Sequence, residues 1–335
     1  MFEILAISIG SVAGIFVIIF GGRGLVDLRR GWWPRKDPSS REALNDQEGS
    51  PLRGLPRPSQ EIRFCTAADG VGIAYATVGE GRPLVKAPNW LTHLEFEWSS
   101  SVWREHWVEL AKDYQFVRFD QRGCGLSDWT AEDQSLSAWV GDLESVVDAA
   151  GLDRFALIGL SQGGATAIEY TVRHPEKVSH LVLYGAYSKG WALRGDSSDE
   201  HEAMMTLMKQ GWGRDNPAFR QVFTSLFMPD ATAEEMNWFN ELQRVSTSPE
   251  NAVRLQQATG EVDILDRLPL VTVPTLVLHC RGDARVPFEE GRRIASLIPS
   301  AKFVPLESRN HVLLANDPAI PIFLSEIRSF LEQDD

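Results

Sequence analysis

Cysteine is scarce in this sequence. Only Cys65, Cys124 and Cys280 occur among its 335 residues, and no two of them have the short CxxC spacing of a zinc site. The three cysteines show no spaced framework typical of a disulfide-rich protein, so we expect free thiols in a reducing compartment. A chain of this length can bury a substantial core without disulfides or metal, and we predict neither a metal nor a cofactor.

Positive charge is also in short supply. The chain has 33 Lys and Arg against 46 Asp and Glu, a formal net charge of −13 at pH 7. Residues 1–60 contain eight basic and six acidic side chains, which leaves residues 61–335 with 25 against 40, a net charge of −15. Because an acidic surface repels nucleic acid and anionic lipid, we expect no nucleic-acid partner, and any membrane attachment needs another feature.

Charge is absent altogether from Ile4 to Gly22, a run of 19 residues rich in Ile, Val, Phe and Leu. At about 1.5 Å per helical residue, this run is near the lower limit for crossing a bilayer. Basic residues predominate from there to Lys36, and such residues stay on the cytoplasmic side. We predict a single-pass membrane anchor over residues 1–24, with the folded domain in the cytoplasm; a core helix or an unordered tail is the alternative. Residues 25–60, rich in Pro, Ser, Arg and acids, predict a flexible linker.

From residue 61 to residue 335, short apolar strand patterns alternate with helical patterns. This alternation predicts an α/β fold with a doubly wound, mostly parallel sheet. It stops at about residues 188–268, where methionines and aromatic residues recur at helical spacing, and there we predict an inserted helical cap. Lys86 interrupts the otherwise apolar third strand, and snorkelling at a sheet edge is the explanation that the sequence offers.

A sharp strand-to-helix turn is predicted around Ser161. The run from Arg154 to Tyr170 begins as an apolar strand, breaks at a GxSxG pattern and resumes with helical periodicity. The two glycines allow a tight turn that exposes the serine at the carboxyl edge of the sheet. The amide of Gln162 would face the same space at a helix start, where partial positive charge suits a developing oxyanion. Leu160, beside the serine, is a candidate substrate-binding residue.

A serine hydroxyl needs a base, and the base needs an acid to orient it. Asp283 follows the buried strand pattern Val273–His279, and His311 follows the next strand. The order serine, acid, histidine, each after a strand, fits a catalytic triad; taken singly, the acid could be a turn aspartate and the base an ordinary polar residue. His93, after the third strand, is a candidate pocket residue, whereas His106 has no turn or strand end to aim it.

With these motifs the sequence resembles the α/β-hydrolase superfamily over roughly Ile62 to Leu331. The matching segments are the turn at Ser161, Asp120–Asp128, Val273–Pro287 and Asn310–Leu314. The segment Pro88–Trp98 departs from the usual His-Gly pair. It looks more like the Pro-Gly-Trp version in hydrolase domains that also occur fused to cyclases and transcription regulators. By that match Trp90 supplies the second oxyanion-hole amide, and Asn89 stands at the glycine position.

The resemblance implies a serine hydrolase that cleaves a small or medium apolar carboxylic ester through an acyl-enzyme. Ser161 would attack, His311 would transfer the proton and Asp283 would hold the imidazole. Serine at the turn disfavours the branches that use aspartate there. Thioesterase, lactonase, C–C bond hydrolase and cofactor-free peroxidase chemistry stay open on the same triad. A ligand-binding receptor or signalling module is the alternative from a different class.

Overall fold

The computed structural model describes residues 59–100, 102–195 and 198–333. The predicted anchor over residues 1–24 and all but the last two residues of the predicted linker lie outside these ranges, so both stay predictions. Across the described ranges, no helix combines the length and the apolar character that a membrane span requires.

Eight strands form one sheet in the order β1-β2-β4-β3-β5-β6-β7-β8. Strand β2 pairs antiparallel with both of its neighbours, and every other pairing is parallel. The prediction of a mostly parallel α/β sheet is therefore confirmed. The strands are β1 (Glu61–Thr66), β2 (Gly72–Val78), β3 (Arg82–Ala87), β4 (Tyr114–Phe119), β5 (Phe155–Leu160), β6 (Val178–Tyr184), β7 (Thr275–Cys280) and β8 (Lys302–Leu306).

The central strands are apolar along almost their whole length. All six residues of β7 are buried, as are five of the six in β5. Strands with both faces covered by helices have no solvent face, so they lack the alternation typical of an exposed sheet. Because the carboxyl ends of parallel strands share one edge, the loops after β3, β5, β7 and β8 can contribute to a single site.

Ten α-helices occur in the described residues, and four of them lie between β6 and β7. Local signals explain where two of these four begin: α7 has a capping box formed by Thr232 and Glu235, and α8 has Ser248 as its N-cap followed by Pro249. The helices are α1 (Leu94–Trp98), α2 (Arg104–Leu110), α3 (Leu136–Ala149), α4 (Gly163–Arg173), α5 (Ser198–Gly211), α6 (Ala218–Phe227), α7 (Ala233–Ser246), α8 (Pro249–Glu261), α9 (Phe288–Leu297) and α10 (Ile320–Leu331).

The insertion that contains α5 to α8 is the cap. Its two ends meet where Lys189 and Asp263 form an isolated antiparallel bridge. Two backbone hydrogen bonds flank the bridge, from Gly190 N–H to the carbonyl of Val262 at 2.7 Å and from Ile264 N–H to the carbonyl of Ser188 at 3.0 Å. The cap therefore leaves and rejoins the sheet domain at one place.

Candidate active site

Ser161 lies in a strained turn between β5 and α4. Its φ is +50°, in the left-handed region that a residue with a side chain seldom adopts, and its N–H donates to the carbonyl of Tyr184 at 2.8 Å. A Cβ on Gly159 would lie 2.7 Å from the carbonyl oxygen of Gly163, and a Cβ on Gly163 would lie 2.6 Å from that of Pro88. Both glycines of the GxSxG pattern are thus required by close backbone approach.

Asp283 and His311 form a buried pair. Oδ2 of Asp283 lies 2.7 Å from Nδ1 of His311, and the two side chains are 1% and 3% exposed. Oδ1 of Asp283 accepts the backbone N–H groups of Arg285 and Val286 at 2.8 Å each. Burial favours the neutral carboxyl, but the charge of His311 and these hydrogen bonds outweigh it and lower the pKa of Asp283. The ionised carboxylate therefore holds the proton of His311 on Nδ1 and leaves Nε2 to act as a base.

A second histidine, His279, packs against the same carboxylate. Its Nε2 is 3.6 Å from Oδ2 of Asp283 and 3.1 Å from the carbonyl oxygen of Val286. Burial lowers the pKa of His279 more than the charge of Asp283 raises it. Because His279 is then neutral, the negative charge of Asp283 remains available to stabilise the imidazole of His311.

The cap fixes the loop that carries His311. The N–H groups of His311 and Val312 both donate to the carbonyl of Phe227, at 2.9 and 3.0 Å. The ring of Phe227 lies with its centroid 5.6 Å from that of the imidazole. On the side of the sheet, the hydroxyl of Tyr184 at the end of β6 donates to the carbonyl of His311 at 2.9 Å. The imidazole is therefore held by the sheet on one side and by α6 of the cap on the other.

Ser161 and His311 line one cavity. In the described part of the chain the hydroxyl of Ser161 makes no hydrogen bond, so its link to Nε2 of His311 is open. Bonds between a nucleophile and its base are often long in the absence of substrate and tighten when substrate binds. Gly185 leaves room for the imidazole, since a Cβ there would lie 3.0 Å from Cε1 of His311.

Trp90 and Gln162, whose amides are the predicted oxyanion-hole donors, line one cavity together with Ser161. Neither amide donates a hydrogen bond to any residue that the structure describes. The side chain of Gln162 is held aside, because its Nε2 donates to Oε1 of Gln121 at 2.9 Å. In the loop after β3, the residue with a left-handed backbone conformation is Leu91, with φ +53°. Asn89, which stands at the position of the family's glycine, therefore does not need the backbone freedom of glycine.

Lys86 explains how that loop is held. Strand β3 lies between β4 and β5, and Lys86 is 2% exposed, so the expectation that its side chain snorkels at a sheet edge is wrong. Its Nζ donates to Oδ1 of Asn89 at 2.5 Å and lies 5.7 Å from the ring centroid of Trp107. Burial lowers the pKa of Lys86 to about 8, with Glu97 opposing that shift. Lys86 therefore braces the residue that precedes Trp90.

Two cavities meet at Ser161. They share Trp90, Ser161 and Phe227 and otherwise have different linings. The first, which we term the apolar chamber, has an empty volume of about 510 Å³; the second, the arginine chamber, has about 350 Å³. The apolar chamber is further lined by Asn89, Trp103, His106, Trp107, Leu160, Tyr184, His311, Val312, Leu313 and Phe323, and the arginine chamber by Gln162, Tyr187, Trp191, Arg194, Gln256, Thr259, Arg285 and Val286.

The linings of the two chambers show which of the other histidines and predicted pocket residues lie at the site. Leu160 lines the apolar chamber, as expected. His93 lines neither chamber within the described residues; its Nδ1 instead accepts the N–H of Phe96 as the N-cap of α1. His106, for which the sequence shows no turn or strand end that would direct it to the site, does line the apolar chamber. Burial lowers the pKa of His106 to about 4, so the imidazole is neutral there.

Several lining residues are not identified by the sequence analysis. Arg285 stands two residues after Asp283, and that proximity to the acid is a signal that could have found it. The methionines of the cap are absent from both linings as described. Met208 and Met228 are instead fully packed in the core. The cap contributes two aromatic residues, Trp191 and Phe227, and three polar residues, Arg194, Gln256 and Thr259, to the described linings.

Comparisons with known proteins agree with this geometry. Residues 90–246 match the family profile described as the alpha/beta hydrolase fold. The chain is 28% identical over 257 residues to the AB hydrolase superfamily protein YisY of Bacillus subtilis, covering 74% of this chain and 91% of that protein. It is 26% identical over 294 residues to 2-hydroxy-6-oxo-2,4-heptadienoate hydrolase of Pseudomonas putida, covering 77% and 96%.

Among solved structures, the esterase EaEST from Exiguobacterium antarcticum superposes with a TM-score of 0.70 at 25% sequence identity, covering 81% of this chain and 99% of that chain. The similarity thus extends over nearly the whole of each relative and over the sheet and the cap of this protein. The chain belongs to the α/β-hydrolase superfamily, and it is an enzyme of that superfamily.

Proposed function

We propose that this protein is a serine hydrolase that cleaves a carboxylic ester with a small or medium apolar acyl group, through an acyl-enzyme. The observation that carries the proposal is the 2.7 Å hydrogen bond between Asp283 and His311, in a site whose cavity also includes the strained Ser161. A buried carboxylate–imidazole pair beside a half-buried serine that lines the same cavity is the arrangement that makes a hydroxyl nucleophilic.

In the proposed reaction, Oγ of Ser161 attacks the ester carbonyl while Nε2 of His311 takes its proton. Asp283 holds the imidazole through Nδ1 and stabilises the imidazolium. The amides of Trp90 and Gln162 donate to the oxyanion; they are suited to this because they have no competing partner in the described structure. Collapse breaks the acyl C–O bond, and His311 gives its proton to the leaving oxygen. Water then attacks the acyl-enzyme by the same route.

The apolar chamber is the proposed site of the acyl group. Trp107, Leu313 and Phe323 belong to its wall, and none of its described lining residues is acidic. Each methylene that enters such a space contributes roughly 0.8 kcal/mol of binding. The rate constant kcat/KM should therefore rise with acyl chain length until the chamber is full and fall beyond that point.

The same machinery serves other bonds in related proteins. One relative bears the name of a 2-hydroxy-6-oxo-2,4-heptadienoate hydrolase, and another that of a putative carbamate hydrolase. A panel that pairs each ester with the corresponding amide, carbamate and vinylogous diketone therefore belongs in the test of the proposed function. Faster turnover of one of these compounds than of every ester would contradict the ester assignment.

Fluorophosphonate labelling and chromogenic esters of graded chain length test the proposal. We expect the label on the peptide that contains Ser161, and no labelling or acyl-enzyme in Ser161→Ala. Ser296→Ala is the matched control, because Ser296 is exposed on α9 and its hydroxyl only donates to the carbonyl of Arg293. Ester turnover by Ser161→Ala at the wild-type rate would refute the proposed nucleophile. A single turnover that leaves a lasting acyl-enzyme would favour the receptor alternative instead.

We also propose that residues 1–24 anchor the protein in a membrane with the hydrolase domain on the cytoplasmic side. The support is the uncharged run Ile4–Gly22 and the basic residues that follow it. Full-length protein should fractionate with membranes, and protein that lacks residues 1–22 should move to the soluble fraction. Retention of the shortened protein on membranes would contradict the anchor.

A further inference from the structure

The arginine chamber differs from the apolar chamber in charge. Its lining includes the guanidinium groups of Arg194 and Arg285, and no described residue of the lining is acidic. Among the described lining residues these two arginines are the charged ones, in a domain with a net charge of −15 over residues 61–335. A cavity whose charge is opposite to that of its domain selects for anionic ligands.

The two arginines come from different parts of the fold, and their charges both act on the hydroxyl of Tyr187. Arg285 follows β7 in the loop of Asp283, whereas Arg194 lies in the cap. Their Cζ atoms lie 5.4 Å from the ring centroids of Phe227 and Tyr187, respectively. Burial raises the pKa of the Tyr187 hydroxyl to about 12, and both guanidinium charges oppose that shift. Both positive charges are therefore felt at the Tyr187 hydroxyl, inside the chamber.

Gln256 adds a polar side chain to the lining of the chamber. It lines the chamber and is 2% exposed, yet its side-chain amide makes no hydrogen bond with any described residue. Its backbone is fixed, because its carbonyl accepts Nε1–H of Trp191 at 2.9 Å and the hydroxyl of Thr259 at 2.9 Å. The side-chain amide is not among the fully buried unpaired polar atoms of the described residues, so it is accessible to a polar ligand group in the chamber.

We infer that the leaving group of the natural substrate carries a carboxylate, which binds in the arginine chamber to Arg285, Arg194 and the amide of Gln256. The inference rests on the proposed function, because it assigns the acyl half of the same ester to the apolar chamber. The substrate is then an ester of an apolar acid with a hydroxy acid. Hydrolysis adds one water, breaks the acyl C–O bond and releases the apolar acid and the hydroxy acid. Arginine suits the role because its fork of donors matches a carboxylate.

The test compares 4-(butanoyloxy)benzoate with its neutral amide, 4-(butanoyloxy)benzamide. We expect kcat/KM to be higher for the carboxylate, by roughly tenfold, since a charge-assisted hydrogen bond contributes about that factor. In Arg285→Gln and in Arg194→Gln the ratio of the two rate constants should fall by about the same factor. Taking the ratio within each variant removes the difference in intrinsic reactivity of the two leaving groups.

Arg292→Gln is the matched control, because Arg292 is exposed on α9 and pairs with Glu289. Its ratio should equal that of wild type. In Ser161→Ala, calorimetry on the intact esters should show the same preference in Kd without turnover.

Two outcomes would overturn the inference while leaving the proposed function in place. One is hydrolysis of both esters through Ser161 with no preference for the carboxylate. The other is a preference for the reversed ester, the monophenyl ester of glutaric acid, in which the carboxylate belongs to the acyl half. If neither ester is hydrolysed and fluorophosphonate does not label Ser161, the proposed function itself fails and the inference fails with it.

Discussion

Replacing Lys86 by methionine removes a buried ammonium group while keeping most of the side-chain volume. The change leaves Oδ1 of Asn89 without its 2.5 Å donor, and a buried acceptor without a partner costs about 1–3 kcal/mol. Loss of the burial penalty of the ammonium offsets part of this cost. We therefore expect the free energy of unfolding to fall by about 1–2 kcal/mol, as measured by urea denaturation.

The kinetic effect of Lys86→Met should be larger than the effect on stability. Asn89 precedes Trp90, whose amide is proposed to bind the oxyanion, and complete removal of one such donor typically costs a factor of about 10² to 10³ in kcat. If the amide of Trp90 is only displaced, the loss should be smaller, roughly tenfold in kcat. KM should change little, because the residues that line the two chambers stay in place. Lys302→Met is the matched control, since Lys302 is exposed and pairs only with Glu326 on the surface.

The pH dependence of stability provides a signature specific to Lys86. Its pKa is about 8 in the folded protein against an ordinary value of 10.5. Between these values the unfolded chain holds a proton that the folded chain has released, so stability rises with pH. Wild type should therefore gain stability relative to Lys86→Met as the pH rises from 8 to 10.5. A kcat within twofold of wild type, together with parallel pH profiles, would refute the bracing role of Lys86.

Three further variants test the surroundings of His311. Asp283→Asn should lower kcat by about 10⁴, because the imidazole loses its correct tautomer, and a steady-state ester assay showing less than tenfold loss would contradict this. Phe227→Ala should destabilise the protein by about 3–5 kcal/mol and shift the acyl-chain optimum to longer esters, since it removes a wall shared by both chambers; an unchanged optimum would argue against the two-chamber description. Gly185→Ala, at φ +56°, should cost about 1–2 kcal/mol in thermal unfolding and slow ester turnover, and normal turnover would show that the imidazole has room to move.

Much of the sheet could be predicted because its signals are local. Strand β7 is a buried, mostly apolar run, and the glycines around Ser161 mark a turn in which the backbone segments approach closely. The same holds for Asp283 and His311, since each follows a strand pattern and the carboxyl ends of parallel strands share one edge. Local pattern and global fold agree in these segments.

The pocket could not be predicted in the same way because it depends on how the cap docks. Arg194 and Arg285 are 91 positions apart, and nothing in either segment indicates that both face Tyr187. Lys86 shows a second limit. Its partner Asn89 is only three residues away, but the burial that makes the contact important arises from the position of β3 between β4 and β5.

The central claim is that Ser161 carries the acyl group. Rapid quenching of the enzyme during turnover of a short-chain ester, followed by peptide mass spectrometry, measures this directly. The account predicts a mass increase of one acyl group on the peptide that contains Ser161, absent in Ser161→Ala. An acyl group on another residue, or steady turnover with no covalent species in the Asp283→Asn variant or the wild type, would contradict it.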